Sequence, residues 1–165
     1  MINKYIHQHG KRLYGLCVTL CGDKFSADDL YQETWLKVCR KFELYDSSKP
    51  FESWLTGICV NTYRDELRKH KISKIFDGFA TTEEKDRTIE GVPQSEPEDY
   101  SELHEAIDRL SDKLRITVIL HYFHGFSEVD VANSLGVPVG TVKSRLNQAR
   151  KKLRKELEND SDLQF

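Results

Sequence analysis

Lys143, Ser144, Asn147, Gln148 and Lys151 are spaced to fall on one side of a helix, opposite Val142, Leu146, Ala149, Leu153 and Leu157. Apolar positions recurring every three or four residues mark a helix with one buried stripe. The facing polar types suit the edges of base pairs in a major groove: lysine donates to guanine, asparagine and glutamine pair with adenine in bidentate fashion, and serine adapts. Arg145, Arg150, Lys152 and Arg154 flank them as phosphate ligands that fix register. Seven of the chain's 25 Lys and Arg lie between Lys143 and Lys155, a span that holds no acid. The plainer alternative is an ordinary solvated helix. Placement of the basic run on the second helix of a helix-turn-helix favours groove reading.

A second group combines aromatics with cations: Tyr45, Phe51, Trp54 and Tyr63 near Arg64 and Arg68. Such residues can stack unpaired bases and hold their backbone, although Trp54 at helical spacing reads first as core. Asn61 stands beside the apolar run Ile58, Cys59, Val60, where its amide suits either an extruded base edge or a local bond. Upstream, Asp28, Asp29, Gln32, Glu33, Leu36 and Lys37 make an acidic helix face with an apolar residue in it, or simply a solvated one. Cys17 and Cys21, four apart, permit metal or redox chemistry if other ligands converge. Buried reduced thiols are the expectation for all four cysteines, Cys17, Cys21, Cys39 and Cys59, with no zinc and no cofactor.

Elements that would position these groups are helical throughout. The first helix spans 5–20 and ends near Gly22. A second opens at Ser26, capped by its hydroxyl with Asp29 three residues on, and buries Leu30, Thr34, Trp35, Val38 and Phe42. A break at 45–50 precedes a third, with Phe51, Trp54, Leu55, Ile58, Cys59, Thr62 and Leu67 on its apolar side. Further on, Leu103, Ala106, Ile107 and Leu110 mark one helix; Leu114, Val118, Ile119, Tyr122 and Phe123 mark the next, ended by Gly125. Ser127 caps a short helix through Val131, Ala132 and Leu135, and Gly136, Val137 and Pro138 turn the chain into the last helix, from about Val139 to Leu157.

Charge divides the chain as clearly. Residues 1–76 carry 13 basic and 9 acidic groups, 77–102 carry 2 and 9, and 103–165 carry 10 and 9. The middle segment has two Gly and two Pro between 77 and 99 and little periodicity, which predicts a flexible linker whose acidity keeps it off DNA. The predicted class is all-α: two small helical domains, 1–76 and 101–165, joined by an acidic linker at 77–100, the C-terminal one containing the helix-turn-helix. A chain of 165 residues, 38% hydrophobic and 32% charged, is too polar for a membrane span. The start from Met1 to His7 lacks a secretory or lipidation signal, so a cytoplasmic location is expected.

Three segments in this order resemble the bacterial sigma factor family, extracytoplasmic-function group, over about 5–71 and 103–157. Asp29 to Val38 is similar to that family's Asp-Leu-x-Gln-Glu-x-aromatic-Leu stretch; Ser53, Trp54 and Leu55 with Ile58, Asn61, Asp65 and Arg68 are similar to its promoter-melting helix. Gly140 to Leu146 with Ala149 to Leu153 looks like its reader of the upstream promoter element. The resemblance implies that Asp28, Asp29, Gln32, Glu33, Leu36 and Lys37 bind core RNA polymerase, whose clamp helices (largest subunit) and flap region are the docking points. Tyr45, Trp54, Asn61, Arg64 and Arg68 would take the −10 element as single strand, with a base flipped into a pocket of loop 45–50 and Asn61. Thr141, Lys143, Ser144, Arg145, Asn147, Gln148 and Lys151 would read the −35 element as duplex. It implies no enzymatic activity and no small-molecule substrate. It implies an anti-sigma partner, typically membrane-tethered, which would sequester the protein at the inner face of the membrane.

Pro138 stands where relatives often carry a capping Ser, Asn147 and Gln148 where an aromatic or Arg is common, and Cys39 and Cys59 where an aromatic and Ala are usual. The two cysteines read as core variations. Other classes are an autonomous helix-turn-helix regulator, which lacks a heptad for dimerisation and leaves the N-terminal motifs unexplained, and a nuclease with Asp28, Asp29 and Glu33 as metal ligands, which lacks converging partners.

Overall fold

The computed structural model describes residues 1–76 and 101–162, and every element among them is helical. The chain divides into two compact units whose boundary falls within 77–100. The expected flexible linker lies outside the described residues.

In the first unit, α1 (Ile2–Cys21), α2 (Lys24–Lys41) and α3 (Phe51–Phe76) pack against one another, with a 3-10 turn (Phe42–Leu44) after α2. Leu13, Leu16, Cys17 and Leu20 of α1 meet Ala27, Leu30, Trp35 and Val38 of α2 and Leu55, Ile58 and Cys59 of α3 in the core. Each large aliphatic side chain so buried contributes roughly 1.5–3 kcal/mol. Buried hydroxyls are satisfied locally: Thr34 and Thr62 donate to the carbonyls of Leu30 and Ile58, each at 2.7 Å. Gly10 lets α1 and α2 approach closely, since a Cβ there would lie 2.9 Å from the Tyr31 hydroxyl.

Helix α1 ends as expected at Gly22, whose φ of 75° closes a left-handed cap. The start of α2 differs from expectation. Asp23, not Ser26, is its cap: the Asp23 carboxylate accepts the Ser26 N–H at 2.7 Å, so the helix begins earlier and Ser26 sits inside its first turn. A carboxylate there also suits the positive end of the helix dipole, and Arg40 and Lys41 suit the other end. Phe42 is only half-buried, because the chain leaves the α-helix at that residue.

The second unit comprises α4 (Ser101–Asp108), α5 (Asp112–Val118), a π turn (Ile119–Phe123), α6 (Glu128–Leu135) and α7 (Val139–Asp162). Leu110, Leu114, Val118 and Ala149 form a buried cluster with Leu153 packed on it, while Val142 and Leu146 are fully enclosed. The expected apolar side of the helix around Leu114 breaks down at its end. Tyr122 and Phe123 are 52% and 44% exposed, because the π turn adds a residue per turn and rotates them out of the stripe. Ser127 caps α6 as expected, its hydroxyl accepting the Asp130 N–H at 3.1 Å. Gly136, at φ 64°, ends α6 and the chain re-enters a helix at Val139, which completes the helix-turn-helix.

Candidate nucleic-acid and polymerase interfaces

Helix α2 sorts its polar residues by position. Asp29, Gln32 and Leu36 are exposed on the side away from the core, Leu36 at 50%, and Glu33 is half-buried beside them. Asp28 and Lys37 lie on the two flanks and are tied inward. Tyr14 of α1 donates to Asp28 at 2.7 Å, which pushes the Tyr14 pKa up. Lys37 lies 3.9 Å from Asp65 of α3. Half-buried Glu66 on α3 has its pKa raised, first by loss of solvent and then by the nearby charges of Asp29 and Glu33. Leu36 thus stands exposed on a helix face that also carries the Asp29 and Glu33 carboxylates.

At the N-terminal end of α3 the aromatic rings cluster. Tyr45 and Trp54, both half-buried, have centroids 4.9 Å apart, and Phe51 lies 5.3 and 5.7 Å from them. Tyr5 backs Phe51 at 4.1 Å. Of the four aromatics expected to stack bases, Phe51 and Tyr63 are buried and belong to the core. Tyr45 and Trp54 remain available. Loop 45–50 is held by its own bonds: the Tyr45 hydroxyl donates to the Lys49 carbonyl, and Asp46 accepts from the Ser48 hydroxyl and N–H. Those two bonds hold the Asp46 carboxyl below the usual range. Trp54, Asn61, Arg64 and Arg68 fall on one side of α3 by helical spacing; Asn61 and Arg68 are exposed, Arg64 is half-buried, and Arg68 also pairs with Asp65 at 2.9 Å.

The cysteines depart from the expectation of burial at two positions, Cys21 and Cys39. Cys17 and Cys59 are buried with sulfurs 3.8 Å apart, and that contact, with burial, raises the Cys17 pKa and keeps it a thiol. Cys21 is half-buried, but Cys39 is exposed on α2 and is no core variation. Among the described residues no group of three or more potential metal ligands converges.

On α7 the proposed reading residues emerge together. Lys143, Ser144, Asn147, Gln148 and Lys151 are exposed, opposite fully buried Val142, Leu146 and Ala149. Thr141 is half-buried in the first turn, its N–H donating to the Pro138 carbonyl at 3.0 Å. Arg145 stands apart, half-buried with Nη1 enclosed and without a hydrogen-bond partner. Two contacts on this surface had no signal in the sequence. Glu128 at the start of α6 lies 3.8 Å from Lys143, and Arg150 donates to the Tyr122 hydroxyl at 2.7 Å.

Comparison with known proteins agrees with this division. The Sigma-70 region 2 family matches residues 5–72, and the Sigma-70 region 4 family matches residues 100–153. The chain is 30% identical over 155 residues to the ECF RNA polymerase sigma factor SigW of Bacillus subtilis, covering 88% of this chain and 83% of that one. It is 32% identical over 168 residues to SigE of Mycolicibacterium smegmatis, covering 96% of this chain but spanning only 62% of the length of that relative. In solved structures it resembles the sigma factor RpoE of Bartonella quintana, in complex with the anti-sigma factor NepR, with a TM-score of 0.78 at 25% identity and coverage of 95% and 96%. Sigma factors are transcription initiation factors, which accords with the expectation that the chain is not an enzyme. The chain belongs to the RNA polymerase sigma factor family, in its extracytoplasmic-function group.

Proposed function

We propose that this chain binds core RNA polymerase and directs it to promoters, with residues 1–76 and 101–165 as two DNA-contacting domains and 77–100 as the linker between them. The observation that carries the reading is the exposed row Lys143, Ser144, Asn147, Gln148 and Lys151 on the second helix of the helix-turn-helix. With Thr141 and Arg145, it reads the −35 element as duplex through base edges, while neighbouring cations hold phosphates. In the first domain Asp29, Gln32, Glu33 and Leu36 dock on the clamp helices of the polymerase largest subunit; Asp28 and Lys37 act from the flanks. The flap region is the second polymerase contact.

Tyr45, Trp54, Asn61, Arg64 and Arg68 hold the −10 element as single strand, with one base extruded beside loop 45–50. Extrusion costs a few kcal/mol, and stacking on an aromatic of about 1–3 kcal/mol per base offsets much of it. An anti-sigma factor holds the protein inactive by covering its polymerase-facing surfaces. The Bartonella relative's complex with NepR supports such a partner. We extend this to a membrane-tethered partner that retains the protein at the inner face of the membrane. No helix among the described residues is long and apolar enough to cross a membrane.

Reconstitution with bacterial core polymerase, followed by genome-wide mapping of transcription start sites, tests the reading. Start sites that require the chain and share spaced −35 and −10 sequences are expected; the same sites with core alone would refute it.

A further inference from the structure

Tyr122 combines three properties that do not normally meet in a core aromatic. It continues the apolar periodicity of Leu114 and Val118, yet the π turn Ile119–Phe123 turns it outward to 52% exposure. A π turn interrupts the regular ladder and is found often where a side chain is re-aimed for a purpose. Its hydroxyl accepts a 2.7 Å bond from Nη1 of Arg150, 28 residues further along the chain.

Arg150 belongs to a particular row of α7. Lys143, Asn147, Arg150 and Arg154 recur at intervals of four, three and four, so they share one flank of the helix beside the buried stripe, and all are exposed. Elements preceding α7 meet this flank at Lys143 and at Arg150. At the Lys143 end the partner is a carboxylate, Glu128, 3.8 Å away, which offsets the lysine charge. At Arg150 the partner is a phenol. A phenol oxygen fixes the direction of a guanidinium without cancelling its charge and leaves the remaining N–H groups of the fork to donate elsewhere.

We propose that Tyr122 is a positioning residue for upstream promoter DNA: it holds Arg150, whose charge meets no carboxylate among the described residues, directed to a backbone phosphate beside the groove in which α7 lies. This rests on the duplex-reading role of α7 proposed above and adds a residue outside that helix. Holding a long side chain in its bound orientation before binding removes part of the ordering cost that the complex would otherwise carry. Because the contact is to phosphate, Tyr122 governs affinity and register and leaves base preference alone.

The test uses the full chain assembled with bacterial core polymerase, and a duplex promoter taken from the start-site mapping, titrated across a range of salt concentrations. Tyr122→Phe keeps the ring and removes only the hydroxyl. It is expected to weaken promoter binding about three- to tenfold, alike for promoters differing in −35 sequence, with thermal melting of the free chain unchanged. Arg150→Ala should weaken it further and make the slope of log affinity against log salt shallower by about 0.9, the loss of one phosphate contact. Adding Tyr122→Phe to Arg150→Ala should then change nothing, since the hydroxyl acts through the guanidinium. Wild-type binding by Tyr122→Phe, or an equal loss in the Arg150→Ala background, overturns the inference while leaving the function intact. Failure of the wild-type assembly to bind any promoter overturns the function and this inference with it.

Discussion

In the first unit the polar residues of α2 are divided between solvent and the domain's own bonds, whereas on α7 of the second unit a polar row lies outside a continuous buried stripe. Asp28 is bonded to Tyr14 and Lys37 sits against Asp65, so these two serve the domain's architecture as well as any partner. Asp29, Gln32 and Leu36 are exposed and face outward. On α7 a single helix supplies core and surface at once, with Val142, Leu146 and Ala149 inside and Lys143, Ser144, Asn147 and Gln148 outside. A surface read by spacing alone is therefore cleaner on α7, where only Thr141 and Arg145 of the expected readers are half-buried, than on α2. A motif that spans several packed helices shares its residues with the scaffold.

The largest test of that contrast removes the buried stripe. Leu146 is 1% exposed, and Leu146→Ala should destabilise the second unit by about 2–5 kcal/mol. Polymerase binding through α2 should persist while −35 recognition is lost, which separate pull-down and promoter-binding assays will read. Lys143→Ala comes next. It should cost about 1–3 kcal/mol of base discrimination at one −35 position, seen as a relaxed preference in selection from randomised duplexes.

Leu36→Arg should lower core polymerase affinity about tenfold, roughly 1.4 kcal/mol, with the melting temperature unchanged because the leucine is already half exposed. A fall in melting temperature equal to that of a core substitution would show the α2 face to be scaffold. The smallest effect concerns Glu66. Its folded-state pKa lies above the ordinary value because of lost solvent and the Asp29 and Glu33 charges, so the native state binds its proton more tightly than the unfolded chain does. That favourable contribution is complete below the ordinary glutamate pKa and lost as pH rises through the raised value. Glu66→Gln should therefore raise the melting temperature by about 1–3 °C at neutral pH, with the gain vanishing in acid.

Most helices were legible because apolar spacing and end signals coincided: Gly22, Gly136 and Ser127 lie where the helices stop and start. Two departures have local physical causes. At the start of α2 several capping residues compete within four positions, and the Asp23 carboxylate takes the Ser26 N–H before the serine hydroxyl can act as a cap. At the end of α5 the π turn adds one residue to a turn, which no 3.6-residue pattern contains, so Tyr122 and Phe123 appeared to continue the core. Cys39 was misread from composition. Cysteine behaves on average as a small hydrophobe, but this one follows Val38 out of the buried stripe. The exposed α7 row was readable in full, whereas Glu128 and Tyr122 were not, because their roles arise from contacts between elements that spacing within one helix does not encode.

The most direct measurement of the central claim is run-off transcription from a mapped promoter with core polymerase, with and without this chain, on templates carrying intact or scrambled −35 and −10 elements. The account predicts initiation only with the chain present and both elements intact. Equal transcription from core alone, or from templates with both elements scrambled, would contradict it.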